Sequence, residues 1–393
     1  MKMPELQDIL TQYWDEFKKK YPVPYNANKI VRDLINCRTS ALGGHIDECD
    51  NCRHIKISYN SCRNRHCPKC QDLKREQWAL KQQADMINVK YFHVVFTVPE
   101  ELNPIALKNQ RSFYSLLFKV ASETLKELAM DKKHLGAQIG ITSVLHTWGQ
   151  TLSYHPHIHC IIPAGGLSPT NQWIKSKKDF FIYYQVLADK FKGKFLDFFK
   201  KEVKAGNIMF YGSIDYLNDN IKYKALRNTL YNKDWIVFSK KTFKDSSYVV
   251  KYLARYTNRV AIANSRIIKL KNHQVTFRYK DNNDNGKTKF MTLDVLEFIR
   301  RFLLHILPKG FMKIRYYGLM GSRNRNTKLI LCKMLTQTSI VEYIKLSTEQ
   351  LIEKLGLDIN KCPVCGCNYF TRKEPVSRSI PPPLVKKYQL NNN

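Results

Sequence analysis

The stretch HTWGQTLSYHPHIHCIIPAGG, from His146 to Gly166, decides how this chain is expected to fold. Residues 138–148 (QIGITSVLHTW) and 157–163 (HIHCIIP) have the composition of strands, and a short loop joins them. His157 and His159 flank Ile158, and residues i and i+2 of a strand project to the same face of a sheet. The pattern therefore predicts two imidazoles side by side, with Ile158 packed into the core.

Two imidazoles on one sheet face can bind one metal ion and leave some of its coordination positions open. A divalent ion held in this way could bind a scissile phosphate, polarise it and stabilise the leaving oxygen. A lone His-x-His pattern also arises by chance, so the interpretation depends on the residues around it.

Outward from this stretch, the sequence alternates between helical and strand patterns. A third strand is predicted at Tyr91–Leu102, and a hairpin with an Asn-Asp-Asn-Gly turn at Thr276–Leu293. Helices are expected over residues 1–36 with a break near Pro22 and Pro24, over 72–88, 105–130, 177–205 and 244–260, and from Asp294 and Thr327 onward.

The helix predicted over 244–260 contains a row of tyrosines, YVVKYLARYTNRV. Tyr248, Tyr252 and Tyr256 are four residues apart and share one helix face, and Lys251, Arg255 and Arg259 form a basic row beside them. A tyrosine hydroxyl has a pKa near 10, so it attacks phosphorus only with electrostatic help from a metal or from cations. The alternative is that the tyrosines form an aromatic core stripe.

Residues 37–70 contain six of the eleven cysteines. Cys49-x-x-Cys52 and Cys67-x-x-Cys70 can direct four thiolates at one tetrahedral Zn²⁺. Cys37, His45, Cys62 and His66 lie in the same span and would complete a second, Cys₂His₂ site. Alternatively, the two histidines cap the fold or contact DNA. Three further cysteines, Cys362, Cys365 and Cys367, resemble half of a zinc knuckle, for which Cys332 is a distant fourth ligand.

The charge balance points to nucleic acid as the partner. The 393 residues include 65 Lys and Arg against 33 Asp and Glu, a net charge of +32, while 44% hydrophobic residues indicate a globular chain. The excess positive charges repel one another, and a polyanion such as nucleic acid offsets this repulsion. Arg300, Arg301 and Arg315 fall in a basic stretch with interleaved tyrosines, which suits single-stranded nucleic acid. No run of about 18 apolar residues and no signal-peptide core is present, so a cytoplasmic protein without membrane contact is expected.

Several of these segments together resemble the HUH endonuclease superfamily, named for its His-hydrophobic-His motif. More narrowly, the chain is similar to the rolling-circle transposases of the insertion sequence 91 family. The segments that carry the resemblance, in chain order, are YNSCRNRHCPKCQ (59–71), FTVPEEL (96–102), HTWGQ and HPHIHCIIPAGG (146–166), YLARYTNRVAIANSRI (252–267) and FIRRFLLHILPKGFMKIRYYGL (298–319).

The resemblance implies an α+β fold: a central antiparallel sheet flanked by helices, preceded by a small zinc-binding domain and followed by a mostly helical basic region. We expect an N-terminal helical and zinc-binding domain over 1–88 and a catalytic domain over 89–275. A basic DNA-contacting region over 276–340 and a tail with the small cysteine cluster over 341–393 would follow.

The resemblance also implies a reaction, in which tyrosine attacks a phosphodiester of single-stranded DNA and holds the 5′ end as a phosphotyrosine, without a nucleotide cofactor. Tyr252 and Tyr256 take this role, together or singly, and Mg²⁺ or Mn²⁺ is the implied catalytic metal. Superfamily members usually have a third metal ligand, for which Gln150 is our candidate and His146 and His155 are rivals. The alternatives are a plasmid replication initiator or relaxase with the same chemistry, and a zinc-dependent DNA-binding protein without catalysis.

Overall fold

The computed structural model describes residues 3–177, 181–243, 249, 261–281, 284–356 and 361–378. The chain forms two compact units, and each combines segments that are distant in sequence. Unit 1 contains residues 1–74, 258–306 and 346–393, and unit 2 contains residues 75–257 and 307–345. Helices and antiparallel sheets occur in both, which confirms the α+β class.

The helices of the described residues are α1 (Leu6–Lys20), α2 (Tyr25–Ile35), α3 (Gln71–Asp85), α4 (Asn103–Lys108), α5 (Gln110–Met130), α6 (Tyr184–Lys204), α7 (Asn220–Asn232), α8 (Val295–Leu303), α9 (Ser322–Arg325), α10 (Lys328–Leu335) and α11 (Thr348–Lys354). Short 3₁₀ turns lie at Ser40–Leu42, Glu100–Leu102, Gly212–Asn218 and Asn264–Arg266.

The strands are β1 (Gly44–Cys49), β2 (Ile55–Tyr59), β3 (Tyr91–Thr97), β4 (Gly140–Trp148), β5 (Tyr154–Pro163), β6 (Gly165–Leu167), β7 (Trp173–Lys175), β8 (Val237–Phe243), β9 (Ile267–Lys271), β10 (Gln274–Asp281), β11 (Lys287–Asp294), β12 (Ile314–Gly318) and β13 (Phe370–Val376).

Unit 2 is built on a five-stranded antiparallel sheet with the strand order β12-β4-β5-β3-β8. Strands β4 and β5 form a hairpin in the middle of it, so the predicted pair of strands around His157 is confirmed. β5 is buried along most of its length because it is flanked by a strand on each side. A central strand of this kind holds its side chains in a fixed register.

One face of this sheet carries the hydrophobic core. Phe96 of β3 and Ile158 of β5 are fully buried there with Phe113 of α5 and Phe191 of α6. Large side chains of α5 and α6 recur at helical spacing toward the sheet, which explains why both long helices lie against it. Because side chains alternate along a strand, the residues next to Ile158 project from the opposite face.

Unit 1 contains two three-stranded sheets, of order β13-β1-β2 and β11-β10-β9. The hairpin predicted at Thr276–Leu293 is confirmed, since β10 pairs with β11 from Gln274–Asp294 to Asp281–Lys287. Asp294 ends this hairpin and caps α8, its carboxylate accepting the backbone N–H groups of Leu296 and Glu297 at 2.9 and 3.3 Å. Unit 1 draws on three separate segments and unit 2 on two, and the four expected domains stay a prediction.

Candidate metal centre and nucleic-acid interface

The register of the central sheet brings a third histidine beside the two of the His-x-His motif. His157 pairs with His146 of β4 on one side and with Thr97 of β3 on the other. His159 lies between Val144 and Val95. Directly opposed residues of antiparallel strands share a face. His146, His157 and His159 therefore all project from the face opposite the helix-packed core.

The three imidazoles are close enough to share one ion. One nitrogen from each ring lies within 4.8 Å of the others. The ring centroid of His159 is 4.3 Å from that of His146 and 4.9 Å from that of His157. His146 and His159 are buried, and His157 is half-buried. His157 and His159 thus lie on one sheet face, as the sequence predicts, and His146 lies beside them.

Hydrogen bonds fix the orientation of two of the rings. Nδ1 of His157 lies 2.6 Å from the backbone oxygen of His155, so Nδ1 carries the proton and donates it. The lone pair of His157 then resides on Nε2, the other ring nitrogen. Nδ1 of His159 lies 2.8 Å from Nε2 of His93, whose ring is stacked on that of His159 at a centroid distance of 5.0 Å.

Burial favours the neutral form of His157 and His159. It lowers the pKa of His157 to about 4, and the neighbouring positive charge of His155 adds to the effect. The pKa of His159 is likewise lowered well below its usual value by burial, and then by the proximity of His146. Neutral imidazoles are the form that binds metal ions, so the cluster is suited to hold a cation near pH 7.

Among the candidates for a third ligand, His146 belongs to the cluster. Gln150 is exposed in the turn between β4 and β5. His155 is half-buried, and its backbone oxygen accepts the hydrogen bond from His157. The register explains the difference, because His146 lies directly opposite His157 whereas Gln150 comes after β4 has ended. His146 is therefore the candidate that lies in the cluster, and the role of Gln150 as a ligand stays a prediction.

Tyr248, Tyr252 and Tyr256, with the basic row Lys251, Arg255 and Arg259, lie outside the described residues. Val249 is described, and it is fully buried in a cluster with Tyr91, Val144 and Ile161. Val144 and Ile161 are on the same sheet face as the histidines, since Val144 pairs with His159 and Ile161 is two residues beyond it. The chain thus reaches the histidine face just before Tyr252.

The cysteines group differently from the arrangement that their spacing predicts. One group consists of Cys37, Cys62, Cys67 and Cys70, and the other of Cys49, Cys52, Cys362 and Cys365. Sulfur–sulfur distances of 3.4 Å (Cys37–Cys70) and 3.5 Å (Cys49–Cys365) exceed a disulfide bond and approach the roughly 3.8 Å between ligands of a tetrahedral Zn²⁺. Cys49 and Cys52 are therefore not grouped with Cys67 and Cys70, although both pairs were expected at one ion.

The two histidines of the cysteine segment belong to neither group. Nε2 of His45 lies 3.3 Å from a carboxylate oxygen of Asp47, and Nδ1 of His66 lies 3.1 Å from the side-chain oxygen of Asn64. Four cysteines are available to each site once the C-terminal pair is included, so no imidazole is needed to complete either.

The predicted DNA-contacting arginines lie on separate elements. Arg300 and Arg301 of α8 both bind Glu297, at 2.6 and 2.7 Å. Arg315 of β12 pairs with Ser143, so it projects from the core face of the sheet, where its guanidinium lies 4.5 Å from the ring centre of Phe118. The contact of these three arginines with DNA stays a prediction.

Sequence reasoning missed two features of these sites. His93 was not singled out, although a histidine within the apolar run YFHVVFT is unusual for a buried strand. The second was the partner of the C-terminal cysteines. Cys362 and Cys365 group with Cys49 and Cys52. The sequence contained a signal for this grouping, because the two pairs have the same Cys-x-x-Cys spacing and each pair supplies only two of the four ligands of a zinc ion.

Two family models match the chain. Residues 9–98 match a family described as "Transposase zinc-binding domain", and residues 140–328 match one described as "Putative transposase". Together with the cysteine groups, these matches define a transposase with a zinc-binding domain, a DNA-processing enzyme.

Two relatives extend the similarity along the chain. "Putative transposase y4qJ" of Sinorhizobium fredii is 42% identical over 92% of this chain and 93% of its own length. The transposase for insertion sequence element IS801 of Pseudomonas savastanoi pv. phaseolicola is 27% identical over 86% of this chain and 81% of its own length. The chain belongs to the insertion sequence 91 family of transposases. No solved structure matches it significantly. Among the described helices, none has the length and apolarity that crossing a membrane requires.

Proposed function

We propose that this transposase nicks and rejoins single-stranded DNA, with Tyr252 and Tyr256 as nucleophiles beside a divalent cation held by His146, His157 and His159. The observation that carries the proposal is the meeting of the three imidazoles of His146, His157 and His159 on one sheet face. Rolling-circle transposition, in which one strand is cut and transferred at a time, is the process that such chemistry would serve.

The donor set fits a catalytic metal. Three protein nitrogens leave coordination positions open for a substrate oxygen, as catalytic sites do and closed structural sites do not. Mg²⁺ takes oxygen ligands and loses its water reluctantly, whereas imidazole ligands suit softer divalent ions. With the imidazole of His146 as the third ligand, rather than the amide oxygen of Gln150, the site should prefer Mn²⁺ to Mg²⁺. When bound, such an ion supplies positive charge that polarises the scissile phosphate.

Chain connectivity supports a tyrosine near the histidines. Val249 packs against Val144, the neighbour of His159 across the β4–β5 ladder. Three residues extend at most about 11 Å, which limits the distance from Val249 to Tyr252. Tyr256, seven residues on, is bounded at about 25 Å by the same rule. These limits allow the side chain of either tyrosine to reach a phosphate bound at the cluster, which the proposal requires.

The proposed reaction balances without a nucleotide cofactor. A tyrosine oxygen gives up its proton and forms a bond to phosphorus, while the bond between phosphorus and the 3′ oxygen breaks. The 3′ oxygen takes up a proton and leaves as a hydroxyl. The 5′ end stays on the enzyme as a phosphodiester to tyrosine, which conserves the bond energy. A 3′-hydroxyl of another strand then attacks the same phosphorus and restores the tyrosine.

The test is the formation of a covalent adduct with single-stranded DNA. The full chain is incubated with Mn²⁺, Mg²⁺ or no metal and with 3′-labelled single strands that tile the DNA flanking its gene. Because the downstream fragment keeps the 5′ phosphate, the label should move with the protein. Mapping the labelled peptide should then identify Tyr252 or Tyr256.

Substitutions assign the nucleophile. The double variant Tyr252→Phe/Tyr256→Phe should form no adduct, and Tyr248→Phe, on the same predicted helix face, should form it as the parent protein does. His157→Ala should lose the metal-dependent adduct while still binding the strand. An adduct of undiminished yield in the double variant would overturn the assignment, and no adduct under any condition would favour a binding role without cutting.

A further inference from the structure

The second cysteine group joins the two ends of the chain. Cys49 ends β1 and Cys52 follows in the next turn, whereas Cys362 and Cys365 lie 310 or more residues further on. Sγ of Cys49 is 3.5 Å from that of Cys365, and Sγ of Cys52 is 3.5 Å from that of Cys362. Each N-terminal thiol thus faces one C-terminal thiol, and all four lie within 4.8 Å of one another.

The two cysteine pairs adopt the same backbone turn. The backbone N–H of Arg53 donates to the oxygen of Cys49, and that of Gly366 donates to the oxygen of Cys362, both at 2.9 Å. The N–H of Cys49 in turn donates to the oxygen of His54, five residues on, at 2.9 Å, and the N–H of Cys362 donates to that of Cys367 at 2.8 Å. Two unrelated stretches of sequence therefore form matching knuckles.

Strand pairing holds the two knuckles against each other. β13 pairs with β1, with Phe370 opposite Cys49 and Val376 opposite Gly44. The hydroxyl of Thr371 donates to Asp50 at 2.7 Å, and Lys373 binds Glu48 at 3.2 Å. The arrangement is thus supported by contacts other than those of the thiols.

We propose that Cys49, Cys52, Cys362 and Cys365 form a second Zn²⁺ site, which fastens the C-terminal segment to the N-terminal zinc-binding segment. Cys362 and Cys365 lie beyond the residues matched by either family model, which end at 328. Four thiolates from two matching knuckles are a closed tetrahedral donor set, as in structural zinc sites. The site is independent of the proposed tyrosine chemistry.

The two zinc sites differ in what they hold together. The first takes all its ligands from within residues 37–70, so it stabilises one local segment. The second closes a loop of more than 300 residues, and closing a loop costs more entropy as the loop lengthens. Loss of this second ion should release β13 from the edge of β1 and leave the first site in place.

Zinc content tests the proposal directly. The full chain should contain two Zn²⁺ per molecule, and Cys362→Ser/Cys365→Ser should contain one. The matched control is Cys367→Ser, two residues from Cys365 but outside the group, which should keep two. If Cys49, Cys52, Cys67 and Cys70 shared an ion instead, the double variant would keep all its zinc, and that result would overturn the proposal.

Thiol labelling of the unaltered protein gives an answer even if the double variant fails to fold. In zinc-loaded protein, an alkylating reagent should modify Cys367 quickly and Cys362 and Cys365 slowly. A chelator should expose those two together with Cys49 and Cys52, and should speed trypsin cleavage after Arg372 in β13. Labelling of Cys362 and Cys365 as fast as that of Cys367 before chelation would show that they bind no ion.

Discussion

At the scale of single residues, His93 is the side chain that we expect to orient His159 toward the proposed metal ion. The two rings are stacked, and Nε2 of His93 is 2.8 Å from Nδ1 of His159. If Nδ1 of His159 donates this hydrogen bond, its Nε2 keeps the lone pair that a metal requires. His93 then acts as a positioning residue and selects the tautomer of a ligand.

His93→Phe should therefore weaken Mn²⁺ binding at the histidine cluster by roughly 10- to 100-fold, the usual effect of removing such a partner. Titration calorimetry of the full chain with Mn²⁺ measures the change. His93→Gln should recover much of the affinity, because its amide oxygen can accept the same hydrogen bond. Equal affinities for His93→Phe and a control, His134→Phe in the loop after α5, would show that His93 does not orient the ligand.

Three arginines that directly follow cysteines have a left-handed backbone conformation. Arg38, Arg53 and Arg63 each come directly after a cysteine and have φ values of 57°, 61° and 53°. The corresponding position after Cys365 is Gly366, with φ of 73°. Glycine adopts this left-handed conformation without strain, whereas arginine does not. Arg53 pairs with Glu48 at 2.8 Å, and Arg38 donates to the backbone oxygen of Lys69 at 3.2 Å. Arg63, which is exposed, is therefore our candidate for a contact with phosphate.

Arg63→Gly should consequently stabilise the protein and weaken its binding to DNA. Relief of the left-handed strain should raise the free energy of unfolding by up to about 1 kcal/mol, measured by urea denaturation. Loss of one phosphate contact should reduce the salt dependence of single-strand binding by about 0.7 in the log–log slope. Gln337→Gly is the matched control, since Gln337 is also exposed with φ of 52° and carries no charge. An Arg63→Gly variant whose affinity equals that of this control would rule out the contact.

At the scale of secondary-structure elements, His273 connects three parts of unit 1. It lies in the turn between β9 and β10, and its ring nitrogens are each 2.9 Å from a carboxylate, Glu16 on α1 and Asp294 at the start of α8. The hydrogen bond to Glu16, and then that to Asp294, raises the pKa of His273 above its usual value.

This raised pKa predicts a pH dependence with a definite sign. The stability that protonated His273 contributes is fully present below about pH 6.5, the unfolded value, and is lost as the pH rises through the raised pKa of the folded state. The difference in unfolding free energy between the parent protein and His273→Gln should therefore shrink from pH 6 to pH 9. Urea denaturation at several pH values measures it, and taking the difference cancels contributions common to both proteins.

A substitution of Glu16, one of the two carboxylate partners of His273, supplies the control for this prediction. Glu16→Gln should remove most of the pH dependence, whereas Asp294 is a poor choice because it also caps α8. A difference between parent and His273→Gln that stays constant with pH would mean that the ion pairs contribute nothing to folding.

Elements with a strong local pattern could be predicted from the sequence, and those that depend on distant partners could not. The β4–β5 pair and the β10–β11 hairpin were predicted because alternation and turn residues lie within one short window. β12 and β13 were missed, since each is short and becomes a strand by pairing with β4 or β1. The histidine cluster follows the same rule. The His-x-His motif is visible within one short window, whereas the register between β4 and β5 places His146 beside it.

At the scale of the whole molecule, each compact unit combines segments that are distant in sequence. Unit 1 collects the N-terminal segment, the β9–β11 hairpin region and the C-terminal segment. Local sequence patterns do not show which distant segments share a unit, and the expected boundaries near 88, 275 and 340 stay a prediction. Contacts across more than 300 residues, such as those of β1 with β13, have no local signature.

The net charge of +32 is a property of the whole chain and predicts that salt weakens DNA binding. Each phosphate neutralised on a single strand contributes about −0.7 to the slope of log affinity against log salt, so about eight contacts should lower affinity by roughly a thousandfold between 50 and 200 mM. His157→Ala/His159→Ala should keep this slope, because both imidazoles are neutral near pH 7 and their loss removes no charge. Fluorescence anisotropy with a labelled single strand, without added metal, measures both proteins. A nearly flat salt dependence in the parent protein would mean that its positive charge does not face the bound strand.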